Sequence, residues 1–362
     1  MLLINNQDVE KLFTMKDCLE ALEVAYDDLL KGDAVYRPRL DVWAPCERPD
    51  GYYRWGTMEG ASRKLGVFAI RMKSDIVYWP NDDTEKKYCT KPGTFCGLVM
   101  VFSIRNGEPL AIINDGILQH MRVGGCGGLG VKYLARKDAS VVGMFGSGGM
   151  ARAYLQAFHE VRKLKKVKVY SPTKKNREAY AKEMSKKLGL EVVPVNSPEE
   201  VARDSDIVST CTDSTRVVFD SPEELREGAH VTCVRSCEIG PRVVKRCDLS
   251  VKLGRNTVES MDEGMIRLHG NVGYIAGQPE ERKRIPNPKV DNYKGDYFKY
   301  FMDVKAGKAP GRTNAKQITF FINAGTQGLQ FAACGGRVYQ LAKEKGMGKE
   351  LPTEWFLQDV RD

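Results

Sequence analysis

The chain has 362 residues, a length typical of two domains or one large one. Its composition, with 42% hydrophobic and 28% charged residues, is that of a globular protein that can bury a substantial core. The net charge of +9 is mild for this length, and no basic stripe is interleaved with aromatic residues. This argues against nucleic-acid binding and favours small anionic ligands.

The sequence also argues against membrane, secreted and metal proteins. No apolar run reaches 18 residues, so we do not expect a transmembrane helix. Asp8 and Glu10 interrupt any secretory signal at the N-terminus. The ten cysteines form no CxxC motif, and no two of the four histidines stand four residues apart. We therefore expect reduced thiols, a cytoplasmic location and no bound metal.

A helix is predicted near the N-terminus. Thr14 precedes the helical pattern, and Asp17 stands three residues further on, which is a variant of the capping box. Gly32 follows the last apolar turn and is placed as the residue that ends the helix.

Extended segments follow this helix. Residues 65–79 and 96–104 are typical of strands, and Asn106-Gly107 is a hairpin turn signal. Between the two strands, residues 80–93 are polar, which predicts an exposed loop.

From residue 139 onward, apolar strands alternate with helices, which predicts a doubly wound parallel sheet covered on both faces. A further helical segment at 324–346 ends at Gly346. We therefore predict an α/β fold in which a Rossmann domain, residues 121–319, is inserted into a mixed α/β domain built from residues 1–120 and 320–362. The predicted strands are 139–145, 167–171, 190–195, 206–212, 230–236 and 247–252, and the helices between them are 150–164, 177–189 and 197–204.

The strongest chemical signal is the motif VVGMFGSGGMARAYLQAF. Gly146, Gly148 and Ala151 fit the pattern G-x-G-x-x-A between a strand and a helix, which is typical of dinucleotide binding. The pyrophosphate would lie at the helix N-terminus, where unpaired N–H groups favour an anion. The alternative is a glycine-rich turn without a ligand. The predicted loop residues are Gly146, Ser147, Gly148, Gly149 and Met150.

The second strand of this domain ends without the acid that would hold the 2′-hydroxyl of NAD. Ser171, Thr173 and Lys174 stand there instead, followed by Lys175 and Arg177. Hydroxyls and cations suit a 2′-phosphate, so NADP(H) is the preferred cofactor, with NAD(H) possible. The alternative is that these are ordinary exposed residues at a helix start.

Several cations are candidates for substrate binding. Arg71 and Lys73 are two residues apart on a predicted strand, so they share one face of an otherwise apolar segment. Such cations require an anion nearby. Arg39 and Arg122 are further candidates, and a surface salt bridge is the alternative reading of each.

At these residues the sequence resembles the ornithine cyclodeaminase/mu-crystallin family. The resemblance covers nearly the whole chain. Residues 25–40, 107–151, 206–212 and 228–236 fit the family pattern, and the stretch from Asp115 to Ala151 is the most specific part. The resemblance implies a homodimer in which the domain made from both chain ends binds substrate and forms the dimer contact. The inserted Rossmann domain would supply the nicotinamide.

The resemblance also implies roles for individual residues. Arg39 matches the arginine that clamps the substrate carboxylate, and Arg122 matches one that contacts substrate or cofactor phosphate. The family's strand lysine falls at Arg71 or Lys73. We prefer Lys73 because only lysine sheds a proton readily, although a gapless alignment favours Arg71. The ends of the matching strands add the predicted cofactor contacts Thr210, Cys211, Thr212, Val234 and Ser236.

The sequence departs from the cyclodeaminases in three places. Their aspartate after the fifth strand is replaced here by Cys237, beside Glu238, which becomes a candidate acid/base. Residues 80–93 form an insertion, and the second strand lacks its acid. We therefore predict an NAD(P)H-dependent oxidoreductase acting on an α-imino or α-amino acid. The alternatives are a cyclodeaminase with bound NAD and a non-catalytic ligand-binding protein of the mu-crystallin kind.

Overall fold

The computed structural model describes residues 1–81, 84–91, 93–254, 264–268, 271–286 and 298–359. The chain forms two compact units. We call Met1–Gln119, Asn256–Lys289 and Thr326–Asp362 the terminal unit, and His120–Arg255 with Val290–Gly325 the central unit. Within the described residues, no helix has the length and apolarity needed to span a bilayer.

The helices of the described residues alternate with strands along most of the chain. They are α1 (Asn6–Leu12), α2 (Met15–Lys31), α3 (Gly116–Leu134), α4 (Gly149–Val161), α5 (Lys174–Leu188), α6 (Pro198–Ala202), α7 (Pro241–Arg246), α8 (Pro279–Arg282), α9 (Phe301–Lys305) and α10 (Gln327–Lys345).

The strands fall into one sheet in each unit. They are β1 (Leu2–Ile4), β2 (Ala34–Tyr36), β3 (Leu40–Pro45), β4 (Gly51–Ser62), β5 (Val67–Asn81), β6 (Thr84–Tyr88), β7 (Cys96–Ser103), β8 (Pro109–Asn114), β9 (Val141–Phe145), β10 (Lys166–Tyr170), β11 (Glu191–Pro194), β12 (Ile207–Thr210), β13 (His230–Cys233), β14 (Leu249–Lys252), β15 (Met265–Leu268), β16 (Asn271–Ile275), β17 (Phe298–Tyr300), β18 (Thr319–Ile322) and β19 (Lys349–Glu350).

The predicted N-terminal helix is confirmed as α2. The Thr14 hydroxyl accepts a hydrogen bond from the backbone N–H of Asp17 at 3.1 Å, and the Asp17 carboxylate accepts one from the N–H of Thr14. Gly32 ends the helix in the left-handed conformation at φ +79°. The buried side of α2 packs against α10.

The sheet of the terminal unit has the order β15-β16-β3-β4-β5-β7-β8-β1-β19, and α10 packs on β4 and β5. The prediction of an exposed loop at 80–93 is wrong in part, because β6 pairs antiparallel with β5. Its polar side chains fit a strand because two of them, Glu85 and Lys87, form ion pairs with neighbouring strands. Residues 82, 83 and 92 of the predicted loop lie outside the described residues.

The central unit confirms the predicted doubly wound sheet. Its strands follow the order β11-β10-β9-β12-β13-β18-β14-β17, and every neighbouring pair is parallel. Apolar clusters fill the space on its faces, one around Val142 and Tyr154 and another around Val208 and Phe320. Because parallel strands are buried on both sides, the continuous apolar runs in the sequence predicted them well.

The terminal unit contains a segment that the sequence-based prediction placed in the Rossmann domain. Residues 271–275 lie inside the predicted Rossmann range, yet β16 pairs parallel with β3 in the sheet of the terminal unit. The predicted domain boundaries stay a prediction.

Candidate active site

The glycine-rich loop of the central unit has the geometry of a phosphate-binding turn. Gly146 has φ +103°, and a Cβ on it would collide with the carbonyl oxygen of Cys211. Gly148 is the N-cap of α4, without a side-chain cap, and apart from its neighbours in the chain no heavy atom lies within 4 Å of the position that its Cβ would take. The N-terminus of α4 therefore has open space beside Gly148, which fits the pyrophosphate of a dinucleotide.

The loop after β10 lies beside the phosphate loop. The hydroxyl of Ser147 donates a hydrogen bond to that of Ser171 at 3.0 Å. Arg177 is buried and donates to the carbonyl of Ser171 at 3.0 Å, so it holds the loop in place. Thr173 is the N-cap of α5, and the Lys174 side chain is 73% exposed. Its only described ion pair is a solvent-exposed one with Glu178 at 3.8 Å, so an external anion can compete for Lys174.

Glu238 ties together the loops that follow β12 and β13. Its buried carboxylate accepts hydrogen bonds from the hydroxyl of Thr210 at 3.2 Å, the N–H of Thr212 at 2.7 Å and the N–H of Arg235 at 3.0 Å. The Thr212 hydroxyl adds a fourth at 2.5 Å. Burial raises the pKa of Glu238, although these hydrogen bonds oppose the shift. Because one carboxylate accepts all four hydrogen bonds, Glu238 fixes the loop that contains Thr212 relative to the loop that contains Arg235.

The other predicted cofactor contacts lie on the same loops. Cys211 follows β12 and is buried against Gly146. Val234 donates its N–H to the carbonyl of Thr210 at 3.0 Å, and Ser236 begins a short helical turn that ends at Glu238. Met150 packs on the core beneath the loop.

The predicted cations of the terminal unit belong to a larger group of charges. Arg71 and Lys73 lie on β5 and share one face with Asp75, which the sequence analysis missed although it stands two residues further on. Ion pairs link these residues to neighbouring strands. We call the following nine residues the charged cluster: Arg39, Asp41, Arg54, Arg71, Lys73, Asp75, Glu85, Lys87 and Asp115.

Lys73 lies at the centre of the charged cluster. Its ammonium group is 2.8 Å from Asp75, whose carboxylate also receives Lys87 and Arg54, each at 3.2 Å. Glu85 forms the second ion pair of Arg54, at 3.0 Å. Burial, together with repulsion from Lys87, lowers the pKa of Lys73 to about 7, while Asp75 opposes the shift. A lysine with that pKa can both give and take a proton near neutral pH.

Glycines flank Lys73 on both neighbouring strands. Its partner on β4 is Gly56, and its partner on β7 is Gly97. A Cβ on Gly56 would lie 2.6 Å from the carboxylate of Asp41, and one on Gly97 would collide with the carboxylate of Asp115. The two glycines therefore let acidic side chains approach the sheet on either side of Lys73.

The two remaining arginines of the charged cluster are each paired with one of these acids. Arg71 is buried and contacts Asp115 at 2.6 Å, just before α3 begins. Arg39 contacts Asp41 at 2.8 Å, and its side chain is 19% exposed. Arg71 is thus the more enclosed of the two, and Arg39 is the more accessible to a substrate.

The structure therefore brings Arg39, Arg71 and Lys73 together in the terminal unit. Arg122 is a buried residue of α3 in the central unit, and Glu238 lies in the same unit. In the part of the chain that the structure describes, no group of three or more His, Cys, Asp or Glu side chains could hold a metal ion.

Known proteins with similar sequences and structures identify the family of this chain. The chain is 27% identical over 287 residues to a Delta(1)-pyrroline-2-carboxylate reductase of Bacillus cereus, covering 79% of this chain and 81% of that protein. It is 25% identical over 350 residues to an alanine dehydrogenase of Archaeoglobus fulgidus, covering 97% and 98%.

Among solved structures, Thermococcus litoralis Delta(1)-pyrroline-2-carboxylate reductase, in complex with NADH and L-proline, superposes with a TM-score of 0.76. The two are 28% identical, and the match covers 97% of this chain and 100% of the other. The sequence model of the ornithine cyclodeaminase/mu-crystallin family matches residues 1–345. The chain belongs to the ornithine cyclodeaminase/mu-crystallin family.

Proposed function

We propose that the protein is an NAD(P)H-dependent reductase of α-imino acids, which in reverse is an amino-acid dehydrogenase. The observation that carries the proposal is Lys73, a lysine with a pKa of about 7 between two glycines on a charged sheet face. The open phosphate loop at Gly148 supports the same function. So does the similarity to reductases and a dehydrogenase whose names refer to imino and amino acids.

Different residues of the chain would serve different steps of such a reaction. NAD(P)H, when bound, supplies the hydride. Arg39 would bind the substrate carboxylate, and Lys73 would give a proton to the substrate nitrogen during reduction. Arg71 with Asp115 would position the neighbouring strand, and Arg122 would contact substrate or cofactor phosphate. Glu238 would hold the loops that border the cofactor.

A spectrophotometric assay tests this function. The protein is incubated with NADPH or NADH and a panel of cyclic and linear 2-imino acids, and the absorbance of the reduced cofactor is followed. Net loss of reduced cofactor, with an amino acid as product, is expected. A cyclodeaminase would instead release ammonia from a diamino acid without net cofactor consumption. Ligand binding without either reaction would favour the non-catalytic alternative.

Arg39 should act mainly in substrate binding. A guanidinium–carboxylate contact is present in both the ground state and the transition state, so its loss raises KM more than it lowers kcat. For Arg39→Ala we expect KM to rise about 10- to 100-fold, since a charged hydrogen bond contributes ~1.5–3 kcal/mol. Arg37→Ala is the matched control, because Arg37 pairs with Glu59 outside the charged cluster. An unchanged KM in Arg39→Ala would remove Arg39 from the site.

We also propose that NADP(H) is preferred over NAD(H). Thr173 and Lys174 offer an exposed hydroxyl and an exposed cation, and the buried Ser171 hydroxyl ties their loop to the phosphate loop at Ser147. Lys174→Glu should weaken NADPH binding by about 10- to 100-fold and change NADH binding much less. Lys182→Glu, an exposed change further along α5, is the control. The preference is wrong if titration shows the unmodified protein binding NADH more tightly than NADPH.

We further propose that the protein is a homodimer. The face of the terminal sheet opposite the charged cluster carries half-buried apolar side chains, which is typical of a surface covered by a partner. The residues are Ile70, Met72, Met100, Leu110 and Ile112. Light scattering should give a mass twice that of one chain; the mass of a single chain would contradict this.

A further inference from the structure

The polar strand β6 adds charges to the charged cluster. It pairs with the outer part of β5 and contributes two of the cluster's charges, Glu85 and Lys87. Val77, the register partner of Lys87, lies on the same face of β5 as Lys73 and Asp75. Lys87 and Lys73 contact the two oxygens of one carboxylate, that of Asp75.

The charges around Asp75 do not balance among the described residues when Lys73 is protonated. Three cations, Arg54, Lys73 and Lys87, then face two carboxylates, Asp75 and Glu85, which leaves one positive charge in excess and is consistent with the lowered pKa of Lys73. The cation side chains are only 8%, 18% and 19% exposed. Largely buried charges of one sign are costly unless an opposite charge is supplied. The other two arginines of the charged cluster are each paired with an acid of their own.

A hydrogen-bond donor in this group is also unsatisfied. The Nε–H of Arg54 is buried and has no acceptor among the described residues. Arg54 as a whole is 7% exposed. A buried donor without an acceptor is uncommon in proteins, so the ion pairs of its two terminal nitrogens with Asp75 and Glu85 leave Arg54 incompletely compensated.

We propose that Lys87, with Arg54, forms a second anion subsite that selects imino acids carrying a carboxylate on the side chain. The proposal rests on the proposed reductase function, in which Arg39 takes the α-carboxylate and Lys73 serves the nitrogen. The second carboxylate would supply the missing negative charge. Lys87 is thus a specificity-determining residue contributed by the inserted strand.

Steady-state kinetics with two substrate classes test the subsite. One substrate is a monocarboxylate, the cyclic imine 1-pyrroline-2-carboxylate, and the other is a dicarboxylic imine formed in situ from oxaloacetate and ammonia. Because Lys87 also lowers the pKa of Lys73, the proteins are compared below pH 7, where Lys73 is protonated in all of them. There Lys87→Met should raise KM for the dicarboxylate about 10- to 100-fold relative to its effect on KM for the monocarboxylate, the loss expected for a charge-assisted hydrogen bond. Lys87→Arg keeps the positive charge, so its KM for the dicarboxylate should stay close to that of the unmodified protein. Lys86→Met is the matched control, since Lys86 is the exposed neighbour on the same strand.

The outcomes separate this proposal from the function on which it rests. If both substrates are reduced, and Lys87→Met changes KM for the dicarboxylate no more than Lys86→Met does, the subsite is overturned and the reductase function stands. If neither substrate is reduced, the reductase function fails, and calorimetry with malate and lactate still tests the subsite. Tighter binding of malate than of lactate, lost in Lys87→Met and kept in Lys86→Met, would support it. Equal binding of the two anions would overturn it.

Discussion

Replacing Lys73 by methionine should lower kcat for imine reduction by about 10²–10⁴-fold, the usual contribution of a positioned proton donor. Methionine keeps the length of the side chain and removes the ammonium group, so the substrate should still bind. The effect is large because Lys73 alone in the charged cluster has a pKa brought to about 7. Stopped-flow measurement of a single turnover checks the chemical step directly.

The pH dependence of the reaction follows from the same residue. Lys73 donates a proton only while it is protonated, so kcat for imine reduction should fall as pH rises through about 7. Lys73→Met should lack this inflection. Lys87→Met should move it to higher pH, because repulsion from Lys87 is one cause of the lowered pKa.

Stability gives a second, independent readout of the same pKa. A lysine whose folded-state pKa is lowered contributes stability above its ordinary value of 10.5 and loses it as pH falls through about 7. The free energy of unfolding of the unmodified protein should therefore rise between these pH values more steeply than that of Lys73→Met. Equal slopes would mean that Lys73 is not perturbed.

The variant Arg71→Met, compared with Lys73→Met, decides which of these two residues of β5 transfers the proton. Arg71 is paired with Asp115 and enclosed, so its loss should affect stability more than the pH profile. A Lys73→Met protein with normal kcat, beside an inactive but folded Arg71→Met protein, would assign the proton transfer to Arg71.

Replacing Gly148 by aspartate should abolish cofactor binding while the fold is kept. The new carboxylate would stand at the N-terminus of α4, where the pyrophosphate is expected. Repulsion between charges about 4 Å apart costs roughly 4 kcal/mol near a protein surface, or about a thousandfold in affinity. The position has open space, and aspartate is a good N-cap residue, so the melting temperature should not fall.

Gly148→Asn is the matched control for this change. Asparagine has the same shape and caps a helix equally well, but carries no charge. Its affinity for NADPH should lie between those of the unmodified protein and Gly148→Asp. Unchanged NADPH affinity in Gly148→Asp would show that the dinucleotide binds elsewhere.

The parts of the fold that sequence predicts well are those with local signals. The capping box at Thr14, the glycine at Gly32 and the turn at Asn106-Gly107 each depend on residues a few positions apart. The phosphate loop also has a local signal, because the backbone at Gly146 has φ +103°, a conformation that favours glycine. The candidates Arg71 and Lys73 were found from the two-residue period of a strand.

The parts that sequence misses depend on contacts between distant residues. Asp115 stands 44 residues after Arg71, and only the pairing of β5, β7 and β8 brings them together. The strand β6 is polar because its side chains face ions on β4 and β5, so its pattern is that of a loop. Glu238 was predicted as an acid/base, while its hydrogen bonds to two separate loops became visible only in the structure.

Transfer of deuterium from the cofactor to the substrate tests the central claim most directly. The protein is incubated with NADPH that carries deuterium at both C4 positions of the nicotinamide and with an α-imino acid that it reduces, and the product is analysed by mass spectrometry and NMR. We predict one deuterium at the α-carbon of the amino acid in each turnover, and no amino acid formed by Gly148→Asp. An unlabelled product, with the deuterium retained in the cofactor, would contradict the proposed function.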